Sequence, residues 1–189
     1  MKKPLEIRNQ LRSWIREESN YYSYDASDVL IDELCFFDRK ARADLVYANG
    51  KLTAFEIKSY ADSLTRWSFQ HDAYLRVFDV VWLCCHYKHA MKAMSMSSDK
   101  VGIILVDDTK NGMAILREAK KNNKVNPEDM LAMLWRSELD ELCKENNISV
   151  LRKERIKEAQ KRVSLELHLD IIREKVLHCL KERYRGKDY

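Results

Sequence analysis

The chain has 189 residues, of which 46% are hydrophobic and 34% are charged, and it contains only four glycines and two prolines. This length suits one compact domain with a real hydrophobic core, and the scarcity of glycine and proline excludes long flexible linkers. The longest apolar run, residues 77–85, is too short to cross a bilayer, and the N-terminal residues lack the apolar segment of a signal peptide, so we expect a cytoplasmic protein with no membrane partner.

The charge is unevenly distributed along the chain. The whole chain carries a net charge of +4, from 34 Lys and Arg against 30 Asp and Glu. Residues 151–189 hold twelve Lys and Arg and seven Asp and Glu, a net charge of +5, which leaves −1 for the rest. A basic C-terminal region favours contact with a polyanion, and ordinary solvated helices of mixed charge are the alternative. The candidate nucleic-acid-binding residues there are Lys153, Arg155, Lys161 and Arg162.

In chain order, the first half of the sequence predicts helices over 4–18 and about 28–35, the second after a cap at Ser27 or Asp28. Two strands follow over 42–47 and 52–58, joined through Asn49-Gly50 as a hairpin. A helix capped by Asp62 or Ser63 is expected to run to about 77, and a buried strand to cover 79–86.

The second half predicts a short helix over 88–96, a strand over 101–107 and an edge strand over 113–117. Two helices are expected to complete the chain, over 127–146 with Asn126 as cap and over 153–184. This order predicts an α/β fold with a mixed β-sheet flanked by helices, not a regular doubly wound sheet. We divide the chain into a core, residues 1–124, and a helical C-terminal subdomain, residues 125–189.

Two carboxylates and an ammonium lie on the predicted hairpin strands, where an unpaired charge is expensive to bury. Glu56 and Lys58 flank Ile57, so they project from one face of their strand. With Asp44 on the same face, the two carboxylates could share a divalent cation such as Mg²⁺. A salt-bridged trio at the rim of the sheet is the alternative, because the ExK pattern alone is common.

The turn decides whether Asp44 and Glu56 share a face. A two-residue turn would direct Asp44 away from Glu56. A three-residue loop over 48–50, with Gly50 at positive φ, instead sets Asp44 opposite Ala54 and diagonal to Glu56. The apolar pattern favours this second register, because it collects four residues on the opposite face: Leu45, Tyr47, Phe55 and Ile57.

The pattern D-(x)11-ExK across a hairpin, with a predicted helix on either side, resembles the PD-(D/E)XK nuclease superfamily over about residues 28–85. Members are restriction-endonuclease-like enzymes, so the resemblance implies a restriction-endonuclease-like sheet and metal-dependent hydrolysis of phosphodiester bonds. It assigns the catalytic positions to Asp44, Glu56 and Lys58. The proline usual before the aspartate is absent here, where Ala43 stands. The string from Arg42 to Tyr74 is similar to a small, little-characterised branch of bacterial and phage proteins.

The resemblance implies further site residues. The predicted helix before the hairpin would supply Glu33, with Asp32 the less favoured choice. Gln70 and Tyr74, one turn apart on the next helix, match a Gln and a Tyr that recur in several branches, and Gln70 joins the catalytic set. The implied ligands of a Mg²⁺ or Mn²⁺ ion are three carboxylates and one backbone carbonyl, those of Asp44, Glu56, Glu33 and Ile57.

The sequence therefore predicts a metal-dependent nuclease, with DNA as the favoured substrate. Arg42 and Arg66 are candidates for phosphate contacts, although either could pair with a nearby carboxylate. The alternative is a non-catalytic nucleic-acid-binding or protein-interaction module that retains the fold. A third hypothesis is a helical adaptor in which residues 125–189 mediate formation of a homodimer. The five cysteines are odd in number and include no CxxC pair, which favours reduced structural thiols.

Overall fold

The computed structural model describes residues 2–18, 21–37, 39–107 and 112–187. Within these ranges the centre is a six-stranded sheet in which each strand pairs with the next along the chain. The strands are β1 (Val29–Phe36), β2 (Ala41–Ala48), β3 (Leu52–Lys58), β4 (Val80–His86), β5 (Gly102–Val106) and β6 (Met113–Arg117). The pairs β3–β4 and β4–β5 are parallel and the other three are antiparallel. The predicted mixed sheet is confirmed.

Helices cover both faces of this sheet. They are α1 (Pro4–Ser13), α2 (Trp67–Val77), α3 (Ala90–Met96), α4 (Pro127–Leu131), α5 (Arg136–Glu145), α6 (Ile156–Glu166) and α7 (Leu169–Tyr184). The helix α1 buries Ile7 and Leu11 in one cluster with Phe55, whereas α2 and the C-terminal helices share the cluster on the other face. No helix in the described ranges is long and apolar enough to cross a membrane.

The helix predicted over 28–35 is wrong, because this segment is the strand β1. Val29 and Ile31 face one hydrophobic cluster and Leu30 faces the other, so the segment alternates like a strand. Pairing with β2 satisfies its backbone groups. Asp28 does not cap a helix; its carboxylate accepts the Tyr47 hydroxyl at 2.7 Å.

Two other helix boundaries differ from the prediction. The helix α2 begins at Trp67, and Asp62 does not cap it, because its Oδ2 accepts the amide and hydroxyl of Ser59 at 2.8 and 2.6 Å. The predicted helix over 153–184 is broken into α6 and α7 at Leu167, whose backbone is extended.

The predicted helix over 127–146 is also two helices, α4 and α5. Its predicted start is confirmed, since the Asn126 side chain accepts the Asp129 amide at 3.1 Å. The second helix begins after Trp135, whose amide donates to Glu138 Oε2 at 2.7 Å. Buried side chains of α4 to α7 belong to the same cluster as those of β1 and β2. The division between residues 124 and 125 stays a prediction.

Candidate active site

The turn between β2 and β3 fixes which hairpin residues face each other. Ala48 pairs with Leu52, which closes a three-residue loop over 49–51. Gly50 has a φ of +92°, so both the predicted loop length and its positive φ are confirmed. The predicted position of the loop, 48–50, is wrong by one residue, because Ala48 still belongs to the strand.

Asp44 lies where the ladder between β2 and β3 ends. In the register set by the turn, the residue opposite Asp44 is Glu56, not the predicted Ala54. The Asp44 carboxylate takes the next backbone donor itself, since its Oδ2 accepts the Ile57 N–H at 2.7 Å. This bond replaces a rung of the ladder and holds the carboxylate beside that of Glu56.

Glu56 is buried, with 2% of the residue exposed, and both of its oxygens accept hydrogen bonds. Oε1 accepts Lys58 Nζ at 2.5 Å and Gln70 Nε2 at 2.7 Å. Oε2 accepts the Tyr74 hydroxyl at 2.5 Å. Lys58 Nζ also donates to Gln70 Oε1 at 3.1 Å. The structure therefore brings together the predicted Glu56, Lys58 and Gln70, with α2 supplying the two partners one turn apart.

Two titratable groups of this network have a pKa above their usual value. Burial and the charge of Glu56 raise the pKa of Asp44 to about 6, against the opposing effects of the Ile57 N–H and Lys58. Burial and the same Glu56 charge raise the pKa of Tyr74 well above its usual value. The Tyr74 hydroxyl therefore stays a hydrogen-bond donor at neutral pH, and Asp44 bears the consequence of two carboxylates being close together.

Glu33 lies at the rim of this site rather than inside it. Its φ of +53° is unusual for a residue with a side chain, and its side chain is 45% exposed. Arg8 and Arg42 pair with its two oxygens at 3.1 and 3.0 Å. Across the described parts of the chain, no three His, Cys, Asp or Glu residues form a group that could hold a metal ion. The predicted convergence of Glu33 with Asp44 and Glu56 into such a group is therefore not found.

Asp32, the less favoured alternative to Glu33, is held by two arginines of α1. Arg12 Nη1 lies 2.5 Å and Arg8 Nη1 lies 3.4 Å from its two oxygens. Sequence reasoning missed both arginines. Their spacing of four residues, which places them on one face of α1, is the signal that could have identified them.

A cavity of about 640 Å³ opens over the site. Its lining includes every predicted catalytic residue, Ile57 and the two candidate phosphate-binding arginines: Asp44, Glu56, Lys58, Glu33, Gln70, Arg42 and Arg66. The role of the Ile57 carbonyl stays a prediction.

The predicted C-terminal cations, by contrast, do not line this cavity: Lys153, Arg155, Lys161 and Arg162. Arg162 is engaged within the C-terminal helices, where it pairs with Glu154 at 2.8 Å and with Glu166 at 3.3 Å. Any contact of these residues with nucleic acid would therefore be made away from the Asp44–Glu56 pair.

The donor chemistry of Asp44 and Glu56 fits a hard divalent cation, although a set of three carboxylates does not form. Asp44 Oδ1 has no hydrogen-bond partner among the described residues, and its carboxylate is destabilised by the neighbouring negative charge. One or two carboxylates, with waters and substrate oxygens, are the usual protein contribution to a Mg²⁺ site. Glu56 Oε1 accepts two hydrogen bonds and Oε2 accepts one, so Oε2 retains a lone pair for a metal ion.

Comparison with known proteins gives a family for the chain. Protein cII of Enterobacteria phage P4 is 28% identical over 183 residues, which cover 96% of this chain and 67% of that protein. A solved structure of SPO1766, a protein of unknown function from Silicibacter pomeroyi, is 17% identical, covers 68% of this chain and 86% of its own, and has a TM-score of 0.40. A model of the family described as bacteriophage P4 protein cII matches residues 6–189. Because this match spans nearly the whole chain, the protein belongs to the bacteriophage P4 protein cII family.

Proposed function

We propose that this protein is a metal-dependent nuclease that hydrolyses phosphodiester bonds, with DNA as the favoured substrate. The observation that carries the proposal is the buried Glu56–Lys58 pair beside Asp44 at the floor of an open cavity. A pair that served stability alone would not need a second buried carboxylate beside it, whose pKa is raised to about 6 by burial and by the charge of Glu56. Action on DNA is consistent with the cytoplasmic location expected from the sequence.

In this proposal each side chain has a stated role. Asp44 and Glu56 would hold Mg²⁺ or Mn²⁺, which supplies charge stabilisation at a phosphate and a more acidic water when bound. The Lys58 ammonium would stabilise negative charge that develops on the scissile phosphate. Gln70 and Tyr74 act as positioning residues, because they fix the Glu56 carboxylate through its two oxygens.

The arginines at the rim of the cavity fit a role in binding. Arg42 and Arg66 are exposed and line the cavity, so they would contact phosphates that flank the scissile bond. Glu33 would act by positioning Arg42, with which it pairs at 3.0 Å, and by limiting the positive charge at the rim.

One observation favours a second function, a nucleic-acid-binding module without catalysis. Both Glu56 oxygens are already satisfied, by Lys58, Gln70 and Tyr74. In such a module this network would rigidify the end of β3, and the cavity would bind a phosphate backbone without cleaving it.

Cleavage assays on the full chain separate the two functions. Supercoiled plasmid, linear duplex, single-stranded DNA and RNA would each be incubated with Mg²⁺, with Mn²⁺ or with EDTA. We expect metal-dependent cleavage of DNA that falls at least about 100-fold in Glu56→Gln and in Lys58→Met. Glu174→Gln, on the exposed face of α7, is the matched control and should cleave like the wild type.

Two outcomes would overturn the nuclease proposal. The first is binding without cleavage of any substrate under all metal conditions, which would support the non-catalytic module. The second is cleavage that persists in both site variants at the wild-type rate, which would place any activity elsewhere. Circular dichroism of each variant guards against loss of the fold.

A further inference from the structure

A second groove, of about 560 Å³, runs beside the Asp44–Glu56 cavity between β1 and the C-terminal helices. The two share Glu33, which lines both. Any chain that passes over Glu33 can therefore occupy the site and the groove together. Trp135 and Gln160 lie in this groove, and neither was singled out by the sequence analysis as a binding residue.

Trp135 presents an aromatic ring to the groove. It is 61% exposed, although tryptophan is usually well buried. The Arg183 guanidinium lies 4.7 Å from the ring centroid, which holds the ring in place by a cation–π contact. The break between α4 and α5 brings Trp135 to this position, because the residue is the N-cap directly before α5 instead of lying inside one long helix.

Gln160 supplies an amide group to the groove. The residue lines the groove, and because its amide is not among the buried polar atoms that lack a partner, the amide is accessible from the groove. An amide offers both a donor and an acceptor to a ligand. Arg183 Nε, in the same groove, is a buried donor without a partner among the described residues.

The charge of the groove identifies the class of ligand. Four cations and one carboxylate line it: Arg39, Arg136, Lys157, Arg183 and Glu33. Two of the cations pair with carboxylates outside the groove, Arg136 with Asp140 at 2.8 Å and Arg183 with Glu138 at 2.9 Å. Arg39 is exposed. A basic groove with an exposed aromatic ring is the usual platform for unpaired bases and their phosphates. Duplex DNA keeps its bases stacked on one another, so it offers no free base face to Trp135.

We propose that this groove binds a single-stranded nucleic acid segment that leads to or from the Asp44–Glu56 site. One base stacks on Trp135, the Gln160 amide hydrogen-bonds a base edge or sugar, and Arg39 contacts phosphate. The inference rests on the proposed nuclease function, since it names the kind of substrate that such an enzyme would act on: a nucleic acid with an unpaired end, flap or loop.

A binding assay in EDTA, which prevents metal-dependent cleavage, tests the groove directly. A fluorescently labelled oligonucleotide of about 12 nucleotides, as DNA and as RNA, is titrated with the full chain in EDTA, beside a blunt duplex of equal length. We expect tighter binding of the single strand than of the duplex. Trp135→Ala should weaken single-strand binding by about 5-fold to 150-fold, since stacking on one aromatic ring contributes about 1–3 kcal/mol.

Matched variants separate stacking from folding. Trp135→Phe keeps an aromatic face and should retain most of the affinity. Tyr87→Ala removes another aromatic residue that is also 61% exposed but lies outside the groove, and it should change nothing. Gln160→Leu, which removes the amide and fills a similar volume, should weaken binding several-fold. Equal affinity of Trp135→Ala and wild type would overturn the proposal.

The native thiol of Cys35 reports occupancy of the groove without any mutation. Cys35 lines the groove and is exposed, whereas the other four cysteines are buried. Its alkylation by iodoacetamide should slow on addition of the single strand and recover in high salt, which weakens phosphate contacts. An alkylation rate that does not change while the oligonucleotide is bound would show that the strand lies elsewhere.

The failures of this proposal and of the nuclease proposal can be distinguished. Single-strand binding with Cys35 protection but no cleavage under any metal condition would leave the groove standing and remove the nuclease. Metal-dependent cleavage of duplex DNA with no single-strand binding in the groove would support the nuclease and remove the groove proposal.

Discussion

The two ends of β3 each hold a buried carboxylate, and the groups that surround these two carboxylates differ. At one end lies Asp79, just before β4, and at the other lies Glu56, near the end of β3. Each residue is 2% exposed. The difference is in their neighbours, because Asp79 faces an arginine and a backbone amide, whereas Glu56 faces a second carboxylate.

At the Asp79 end, each carboxylate oxygen accepts a hydrogen bond from the protein. Asp79 Oδ2 accepts the Leu52 N–H at 2.9 Å and its Oδ1 accepts Arg173 Nε at 2.8 Å. The first bond ties the segment before β4 to β3, and the second ties α7 to the sheet. Arg173 also pairs with Asp170 at the surface of α7. Because each Asp79 oxygen has a donor and no second carboxylate lies beside it, this network is a structural link.

At the Glu56 end two carboxylates, those of Asp44 and Glu56, lie directly beside each other. Lys58 offsets one carboxylate, and the pKa of Asp44 rises to about 6 because of burial and of Glu56. Holding two carboxylates here makes folding less favourable at neutral pH. The comparison suggests that a site which binds a cation is recognised by residual repulsion, and a structural link by its absence. Substitutions at the two ends should therefore move stability in opposite directions.

The largest effect is expected at the structural end. Asp79→Ala leaves the Leu52 N–H without an acceptor and the Arg173 guanidinium, 15% exposed, with only the exposed Asp170 as a partner. We expect the free energy of unfolding to fall by about 3–5 kcal/mol, as when one partner of a buried ion pair is removed. Urea denaturation followed by circular dichroism measures this.

An exposed ion pair provides the control for that substitution. Asp99 pairs with Lys120 at 2.9 Å, and their side chains are 75% and 63% exposed. Asp99→Ala should leave the urea midpoint nearly unchanged. If Asp79→Ala were equally harmless, the Asp79 link would not stabilise the fold and the contrast between the two ends would disappear.

The next effect, of opposite sign, is expected at the site. Asp44→Asn removes the cost of burying a charged carboxylate and the repulsion from Glu56, and the new amide can still accept the Ile57 N–H. A folded pKa of about 6 against about 3.9 in the unfolded chain lowers stability at pH 7 by on the order of 2–3 kcal/mol. The variant should therefore unfold at a higher urea concentration than the wild type at pH 7, in EDTA.

The pH dependence of the stability of wild type and Asp44→Asn checks the sign of this difference. Because the pKa of Asp44 is raised in the folded state, the wild type should lose stability as the pH rises from about 4 to about 6. Asp44→Asn lacks this loss, so its advantage should be largest at pH 7 and vanish below about pH 4. Glu174→Gln, on the surface of α7, should track the wild type. An advantage independent of pH would rule out the Asp44 charge, destabilised by burial and by Glu56, as its cause.

Adding metal should reverse the difference between wild type and Asp44→Asn. A ligand that binds only the folded state stabilises it by about 2.7 kcal/mol at one hundred times its Kd. We expect Mg²⁺ or Mn²⁺ to raise the melting temperature of the wild type and to have little effect on Asp44→Asn or Glu56→Gln. The same shift in all three proteins would mean that the ions bind outside this site.

The hairpin shows how far the sequence determines the fold and the site. The alternation of side chains along a strand predicts that Glu56 and Lys58 share one face of the hairpin. It also predicts an apolar opposite face that includes Leu45 and Phe55. Both faces are present in the structure. The loop position differs by one residue because Ala48 fits a strand as well as it fits a turn. Since the side-chain period is two, the actual register still keeps Asp44 and Glu56 on one side.

Other features depend on contacts between distant segments. Residues 29–36 have enough apolar residues for a helix or a strand, and pairing with β2 decides for the strand. Neither glycine nor proline marks the break before Trp135 or the one at Leu167, so helical spacing alone predicts continuous helices there. The pairing of Glu33 with Arg8 arises from the packing of α1 beside β1, which no local pattern encodes.

The smallest effect expected concerns the hairpin turn, at the structural end of β3. Gly50 has a φ of +92° and open space around it, so an added methyl group would strain the backbone without a clash. Gly50→Ala should lower the free energy of unfolding by about 1 kcal/mol. Gly112→Ala is the matched control, since Gly112 also has open space but no positive φ, and it should be neutral or slightly stabilising. Because the turn only sets the register, any cleavage by Gly50→Ala should match the wild type at 25 °C and fail at a lower temperature on heating. A drop in activity without a drop in stability would instead mean that the turn takes part in the site.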